Sequence, residues 1–168
     1  AHPGAVNNRK LNLQGNTMLH QLAFWGFDNS RVAGVVERFK QLGADPSLRN
    51  YEGKNAIEMA ESQGHNGTAE VIRSVFDFDH FGQHKAELLT HAHRGDFGRV
   101  VKILKEKPHL RHLQGNRGWS VLHQAAFHRC SSSLLARLMD VYEVGADLKT
   151  HDGETAKDIL RQQDPHHP

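Results

Sequence analysis

Two ten-residue stretches of this chain are near copies of each other: Trp119-Ser120-Val121-Leu122-His123-Gln124-Ala125-Ala126-Phe127-His128 and Asn16-Thr17-Met18-Leu19-His20-Gln21-Leu22-Ala23-Phe24-Trp25. Both carry Leu-His-Gln, then two small or aliphatic residues, then Phe and a second ring. Each is followed by an amphipathic run that closes on Gly-Ala-Asp, at Gly43-Ala44-Asp45 and at Gly145-Ala146-Asp147. Farther on, Leu48-Arg49-Asn50-Tyr51-Glu52-Gly53 aligns with Leu148-Lys149-Thr150-His151-Asp152-Gly153 at an offset of one hundred. A unit this short cannot bury its apolar face by itself, so such units must stack on their neighbours.

The apolar spacing within the units is helical. Met18, Leu19, Leu22 and Ala23 predict a short helix ending near Gly26, and Asp28-Asn29-Ser30 offers oxygens to cap the next. Val32, Val35, Val36 and Phe39 read as the buried stripe of that second helix, with Gly43 as its stop. Ala56, Ile57, Met59 and Ala60, then Ala69, Val71, Ile72 and Val75, predict a second pair. Phe76-Asp77-Phe78-Asp79-His80-Phe81-Gly82 reads as a loop folding back over core. Val100, Val101, Ile103 and Leu104 give a helix ended by Pro108. Ser131-Ser132-Ser133 caps another, whose Leu134, Leu135, Leu138, Met139, Val141 and Tyr142 are expected inward. A last helix begins at Ala156, and Lys157 stands where its counterpart Ile57 is apolar, as in a terminal cap with one face in water.

Thr17-Met18-Leu19-His20 and Ser120-Val121-Leu122-His123, each closed by Gly-Ala-Asp, resemble the Thr-Pro-Leu-His signature of ankyrin repeats. The resemblance covers residues 13–163. It implies an all-α solenoid of helix-turn-helix units with short hairpin loops, four repeats and a terminal half-repeat. Residues 1–12 read as a loose lead-in and 164–168 as a flexible tail.

Composition bounds the function. Hydrophobic content of 38% and charged content of 24% suit a folded chain. No apolar run approaches the length of a membrane span. The start Ala1-His2-Pro3-Gly4 lacks an initiator Met and reads as an excised or processed chain. One cysteine, Cys130, leaves no internal disulfide and favours a reducing, intracellular, cytoplasmic setting. The net charge of +2, with its Lys and Arg surplus in the second half, falls short of the dense basic patch of a nucleic-acid binder.

No residue pattern points to catalysis. The resemblance gives His20 and His123 a turn-fastening role with Thr17 and Ser120. Fourteen histidines raise the question of zinc, but His80 and His84, His91 and His93, and His109 and His112 lack the cysteine or carboxylate company of a metal motif. His128 and Cys130 lie close in sequence without a third group to orient a base. No metal and no cofactor is expected.

The resemblance implies recognition of a protein or peptide along a concave groove, by a monomer. The expected partner-binding residues are Asn16, Phe24, Trp25, Tyr51, Lys54 and Gln63 in the first half, with Lys85, His93, Arg94, Arg117, Trp119, Phe127 and His128 in the second. Aromatic and Arg side chains carry most interface energy, and Trp25 and Trp119 are read as matching outward points. A competing reading packs Phe24 and Phe127 between repeats. Two other functional readings stand beside this one. The first is a targeting or adaptor module of a larger enzyme or secreted effector. The second is nucleotide or nucleic-acid binding by aromatic stacking near Arg94, Lys85 and Arg117.

Overall fold

A computed structural model of the chain describes residues 5–27 and 29–163. Among them every regular element is helical, apart from an isolated antiparallel bridge between Gln114 and Ser120. The chain divides into two compact units, Ala1–Gln83 and His84–Pro168.

The first unit holds α1 (Met18–Trp25), α2 (Asn29–Gln41), α3 (Ala56–Ser62) and α4 (Asn66–Phe76). Helix α3 packs on α1 and on α4, and α4 packs on α2, so the second helix pair stacks on the first. Leu19, Ala23, Val32, Val36, Ala60 and Ile72 are buried where the pairs meet. Each large aliphatic side chain so buried contributes about 1.5–3 kcal/mol against the cost of ordering the chain. The stripe of α2 is narrower than its spacing suggests, because Val35 is exposed and Phe39 is half-buried. Met18, in the first turn of α1, is exposed as well. Of the capping stretch Asp28-Asn29-Ser30, Asp28 lies outside the described residues, and Asn29 and Ser30 form the first positions of α2.

Residues 5–12 are a correction to the loose lead-in. They form two 3-10 turns, Ala5–Asn7 and Arg9–Leu11. Val6 is buried, and the Asn7 side chain donates to the Gly43 carbonyl while accepting from the Asp45 amide. The polar composition of this segment hid one apolar anchor and one amide with long-range partners. The tail, 164–168, lies outside the described residues.

The Phe-rich segment before Gly82 is also not a loop. Asp77 takes a left-handed conformation that ends α4, and α5 (Phe78–His93) starts at once. Phe76 and Phe81 are buried with their rings edge to face at 6.2 Å, so the core-covering role of the segment stands and its shape does not.

The second unit contains most of α5, then α6 (Phe97–Glu106), α7 (Val121–Phe127), α8 (Ser132–Asp140) and α9 (Ala156–Gln163). Helix α9 packs on α7, and Leu88, Val100, Leu104, Leu113, Leu122 and Leu138 are among its buried side chains. Helix α6 ends before Pro108, which opens a 3-10 turn where its missing N–H costs nothing. Ser131 caps α8 by accepting from the Leu134 amide. Of the six inward side chains expected after it, Leu138 alone is buried. Met139 is exposed on α8 itself, and Val141, also exposed, lies past the end of the helix, which is shorter than the stripe read from its sequence. Lys157 is exposed and Ile57 buried.

Candidate functional site

The repeat motif builds one local device four times. Thr17 and Ser120 cap their helices, each accepting from the histidine amide three residues on, while the imidazole Nδ1 of His20 and of His123 accepts from the cap residue's own amide. In the following helices a carboxylate takes the place of the ring: Asn55 with Glu58, and Thr155 with Asp158. The Asn55 amide holds the Glu58 carboxyl below its ordinary range, and the Thr155 hydroxyl, helped by the Thr155 amide, does the same for Asp158. Each ring then reaches beyond its own helix. His20 Nε2 lies 2.9 Å from the Lys54 carbonyl, and His123 Nε2 lies 3.1 Å from that of Glu154. Burial pushes both imidazoles below their ordinary pKa, a shift opposed by these carbonyls. A neutral ring with its proton on Nε2 satisfies every contact, leaving neither histidine free for other chemistry.

The carbonyls they reach belong to two matching hairpins. Asn50 N–H donates to Lys54 O and Gly53 N–H to Asn50 O; one hundred residues later, Thr150 and Gly153 repeat the pair with Glu154 and Thr150. Each hairpin also bonds back to an earlier segment, Tyr51 N–H to Gln14 O and His151 N–H to Arg117 O. The duplication read in the sequence is therefore one of hydrogen bonds as well as of letters.

In the first unit the candidate residues separate. Asn16 is a correction, being 3% exposed. Its amide is held by Gln14 and Asn50, so it braces the hairpin and presents nothing outward. Phe24 and Trp25 are 41% and 66% exposed, with rings edge to face at 5.4 Å. Tyr51 is exposed with Arg9 over one face, and its ring crowds Gly15 so closely that a Cβ there would sit 2.7 Å away. Lys54 is half-buried, its ammonium between Glu52 and Ser62, and Gln63 is exposed at the end of α3.

In the second unit four of the candidates, Trp119, Phe127, His128 and His93, are joined by contacts. Trp119, Phe127 and His128 make a ladder of rings, 5.8 Å from Trp119 to Phe127 and 5.6 Å from Phe127 to His128. Trp119 also tilts over His123, and His128 packs edge to face on buried Phe97. The His128 Nε2 donates to the His93 carbonyl at 2.9 Å, which fixes the ring at the end of α5. Phe127 is 48% exposed, Trp119 half-buried, and His93, Arg94 and Arg117 are exposed. Lys85 is half-buried on α5. Arg117 holds a left-handed backbone conformation at the hairpin turn.

Two points of the sequence reading need revision. With Thr17 set against Ser120, Trp119 matches Asn16, and Trp25 matches His128. The tryptophans therefore stand at opposite ends of their helices, Trp25 closing α1 and Trp119 preceding the cap of α7. The other is an apolar groove not anticipated, lined by Met18, Gln21, Leu22, Trp25, Phe27 and Phe39. Exposed Met18 and Trp25 fall seven apart on α1, a signal the expected burial of Met18 concealed.

No cluster of three His, Cys, Asp or Glu side chains that could hold a metal occurs among the described residues. His91 meets Asp96 at 3.2 Å and His80 meets Asp77 at 2.9 Å, each a local pair. Burial raises the Cys130 thiol above its ordinary pKa, which disfavours the thiolate a nucleophile needs. No helix among the described residues is long and apolar enough to cross a membrane.

No protein-family model matches the chain, and no curated protein matches it. Among solved structures it is similar to one described as the crystal structure of EF0377, an ankyrin repeat protein. That likeness has 19% identity, covers 93% of this chain and 79% of the other, and has a TM-score of 0.34. Within the described residues the helix pair, the hydroxyl–histidine cap and the hairpin each recur, so the chain is built of repeated helical units.

Proposed function

We propose that this chain is a non-catalytic recognition module that holds a protein or peptide partner against exposed aromatic side chains. The observation that carries this reading is the Trp119–Phe127–His128 ladder. Rings in water are costly unless something covers them, and here each is held in place by a neighbour before any partner arrives. Preorganised rings lose little freedom on binding, which is why aromatic anchors dominate interfaces. Arg94 and Arg117 belong to the same unit and supply charge without the density a nucleic acid requires. Phe24 and Trp25 form a second patch of the same kind in the first unit.

The test is selection of peptides from a displayed random library on the 168-residue chain, followed by titration of the winners. Peptides that bind the parent should lose affinity for Phe127→Ala and for Trp25→Ala/Trp119→Ala variants that keep their circular dichroism. Enriched peptides that bind these variants as well as the parent would move the site elsewhere.

A further inference from the structure

We propose that the free ring nitrogen of His128 accepts a main-chain N–H from a peptide lying on the aromatic ladder. This rests on the reading of that ladder as the contact surface, and adds the hydrogen-bonding chemistry its partner must bring. The His93 carbonyl can only accept, so its 2.9 Å bond to Nε2 places the imidazole proton on that nitrogen. The neutral ring is then left with a bare Nδ1, which is an acceptor. No described residue donates to it.

Other histidines of the chain supply the contrast. His20 and His123 also meet a carbonyl through Nε2, but their Nδ1 atoms accept from the Thr17 and Ser120 amides, and both rings are buried. His65 resembles His128 instead. Its Nδ1 faces the Ala23 carbonyl at 3.2 Å, while its Nε2 is unpartnered and open to solvent. Ala23 and Gly26, the glycine that ring packs against, bracket Phe24 and Trp25. Each exposed aromatic patch therefore has beside it an imidazole pinned through one nitrogen and free at the other.

The setting of the His128 nitrogen fits a peptide main chain. The residue is exposed, and α7 is bonded to α5 through this ring and has α9 packed on it. Helices before and after it in the chain are thus in place and still leave Nδ1 bare. A Cβ on Gly95 would stand 3.1 Å from that nitrogen, so any other residue there would crowd the approach to it. A peptide that sets side chains against Phe127 and Trp119 withdraws its own amides from water, and each then needs an acceptor. The aromatic carbons of the ladder offer none. Arg94 and Arg117 only donate and cannot serve an N–H. The ladder's own acceptor is His128 Nδ1.

The probe is a peptide selected on the parent chain that loses affinity for Phe127→Ala. Each of its amides is replaced in turn by an ester, which sets oxygen in place of N–H. One ester should cost about five- to tenfold in affinity for the parent. That penalty should vanish against His128→Phe, which keeps a ring in the ladder. It should vanish as well against His128→Gln, whose side-chain amide can still donate to the His93 carbonyl. Crossing ester with variant cancels whatever either change costs by itself. An ester penalty equal on parent and variants, or no penalty at any position, overturns the proposal and leaves the ladder as the contact surface. A selection that yields no Phe127-dependent peptide removes the ladder reading, and this proposal with it.

Discussion

His20 and Lys54 are joined across 34 residues by a 2.9 Å hydrogen bond from the imidazole Nε2 to the main-chain carbonyl. The same ring is fastened through Nδ1 to Thr17, so one side chain ties the start of its own helix to the next hairpin. His123 does the same for Ser120 and Glu154. The cap orders the turn, and the long bond ties that turn to the next hairpin.

The first expectation follows from that bond. His123→Ala should cost about 1–3 kcal/mol, because buried amide and carbonyl groups lose their partner. Leu122→Ala, deleting a buried side chain next to it, should cost about 2–5 kcal/mol through the cavity left behind. Urea denaturation of both variants checks this. Two variants as stable as the parent would contradict the described packing of α7.

Acid should act through the same histidines. His20 and His123 are held below their ordinary pKa, mainly by burial. His112 is pushed down to about 4 by burial and by Arg111, against the pull of Asp147, and its buried Nδ1 has no hydrogen-bond partner. A histidine whose folded pKa lies below the unfolded value of about 6.5 gives its stability above that pH. The contribution is lost as pH falls toward the folded pKa, since the unfolded chain takes up the proton first. His80, raised by Asp77, works the opposite way but is fully exposed. The urea midpoint should therefore decline from roughly pH 6.5 toward pH 4. His112→Leu should flatten that decline; an equal slope in parent and variant would remove His112 from the acid response.

Two glycines separate strain from crowding. Gly26 and Gly53 both hold left-handed φ, 54° and 78°. A Cβ on Gly53 would meet nothing within 4 Å, whereas one on Gly26 would lie 2.4 Å from the His65 ring, whose Nδ1 faces the Ala23 carbonyl. Gly53→Ala should cost about 1–2 kcal/mol from the backbone alone. Gly26→Ala should cost about 2–4 kcal/mol, since the ring must move as well. Equal melting temperatures for the two variants would show that His65 yields freely.

The fold was legible where a short-range pattern carried it. Leu-His-Gln and the hairpin copy lie in contiguous residues, and both recur as matching hydrogen bonds. What was not legible depends on partners distant in sequence. Asn16 looked like an outward residue because its fixing contact, Asn50, is 34 residues away. Residues 5–12 looked loose because Gly43 and Asp45 hold Asn7 from the far end of α2. The apolar spacing of α8 was read past its end, since length is set by the turn after Asp140 and not by periodicity. The groove was missed for the same reason in reverse: spacing marks an apolar face without saying whether anything lies against it.

The last expectation contrasts the two tryptophans, which the sequence set as equals. Trp25 is 66% exposed and touches Phe24 at the end of α1. Trp119 is half-buried, with His123 on one side and Phe127 on the other. Trp25→Ala should leave the melting temperature nearly unchanged, because an exposed ring leaves no cavity. Trp119→Ala should lower it, since His123 loses part of its cover and Phe127 its edge contact. On peptides selected by the parent chain, each truncation should weaken binding by about 2 kcal/mol if the ring is an anchor, roughly thirty-fold. Affinity must therefore be measured below the onset of unfolding for Trp119→Ala, where lost binding cannot come from lost fold. Phe127→Tyr serves as the companion: it keeps the ring contact and the fold while adding a hydroxyl at the exposed edge. If Trp119→Ala loses affinity only where its circular dichroism is also lost, Trp119 supports the site without belonging to it. If affinity falls while the helical signal is intact, and Phe127→Tyr shifts it too, the ladder itself is the contact surface.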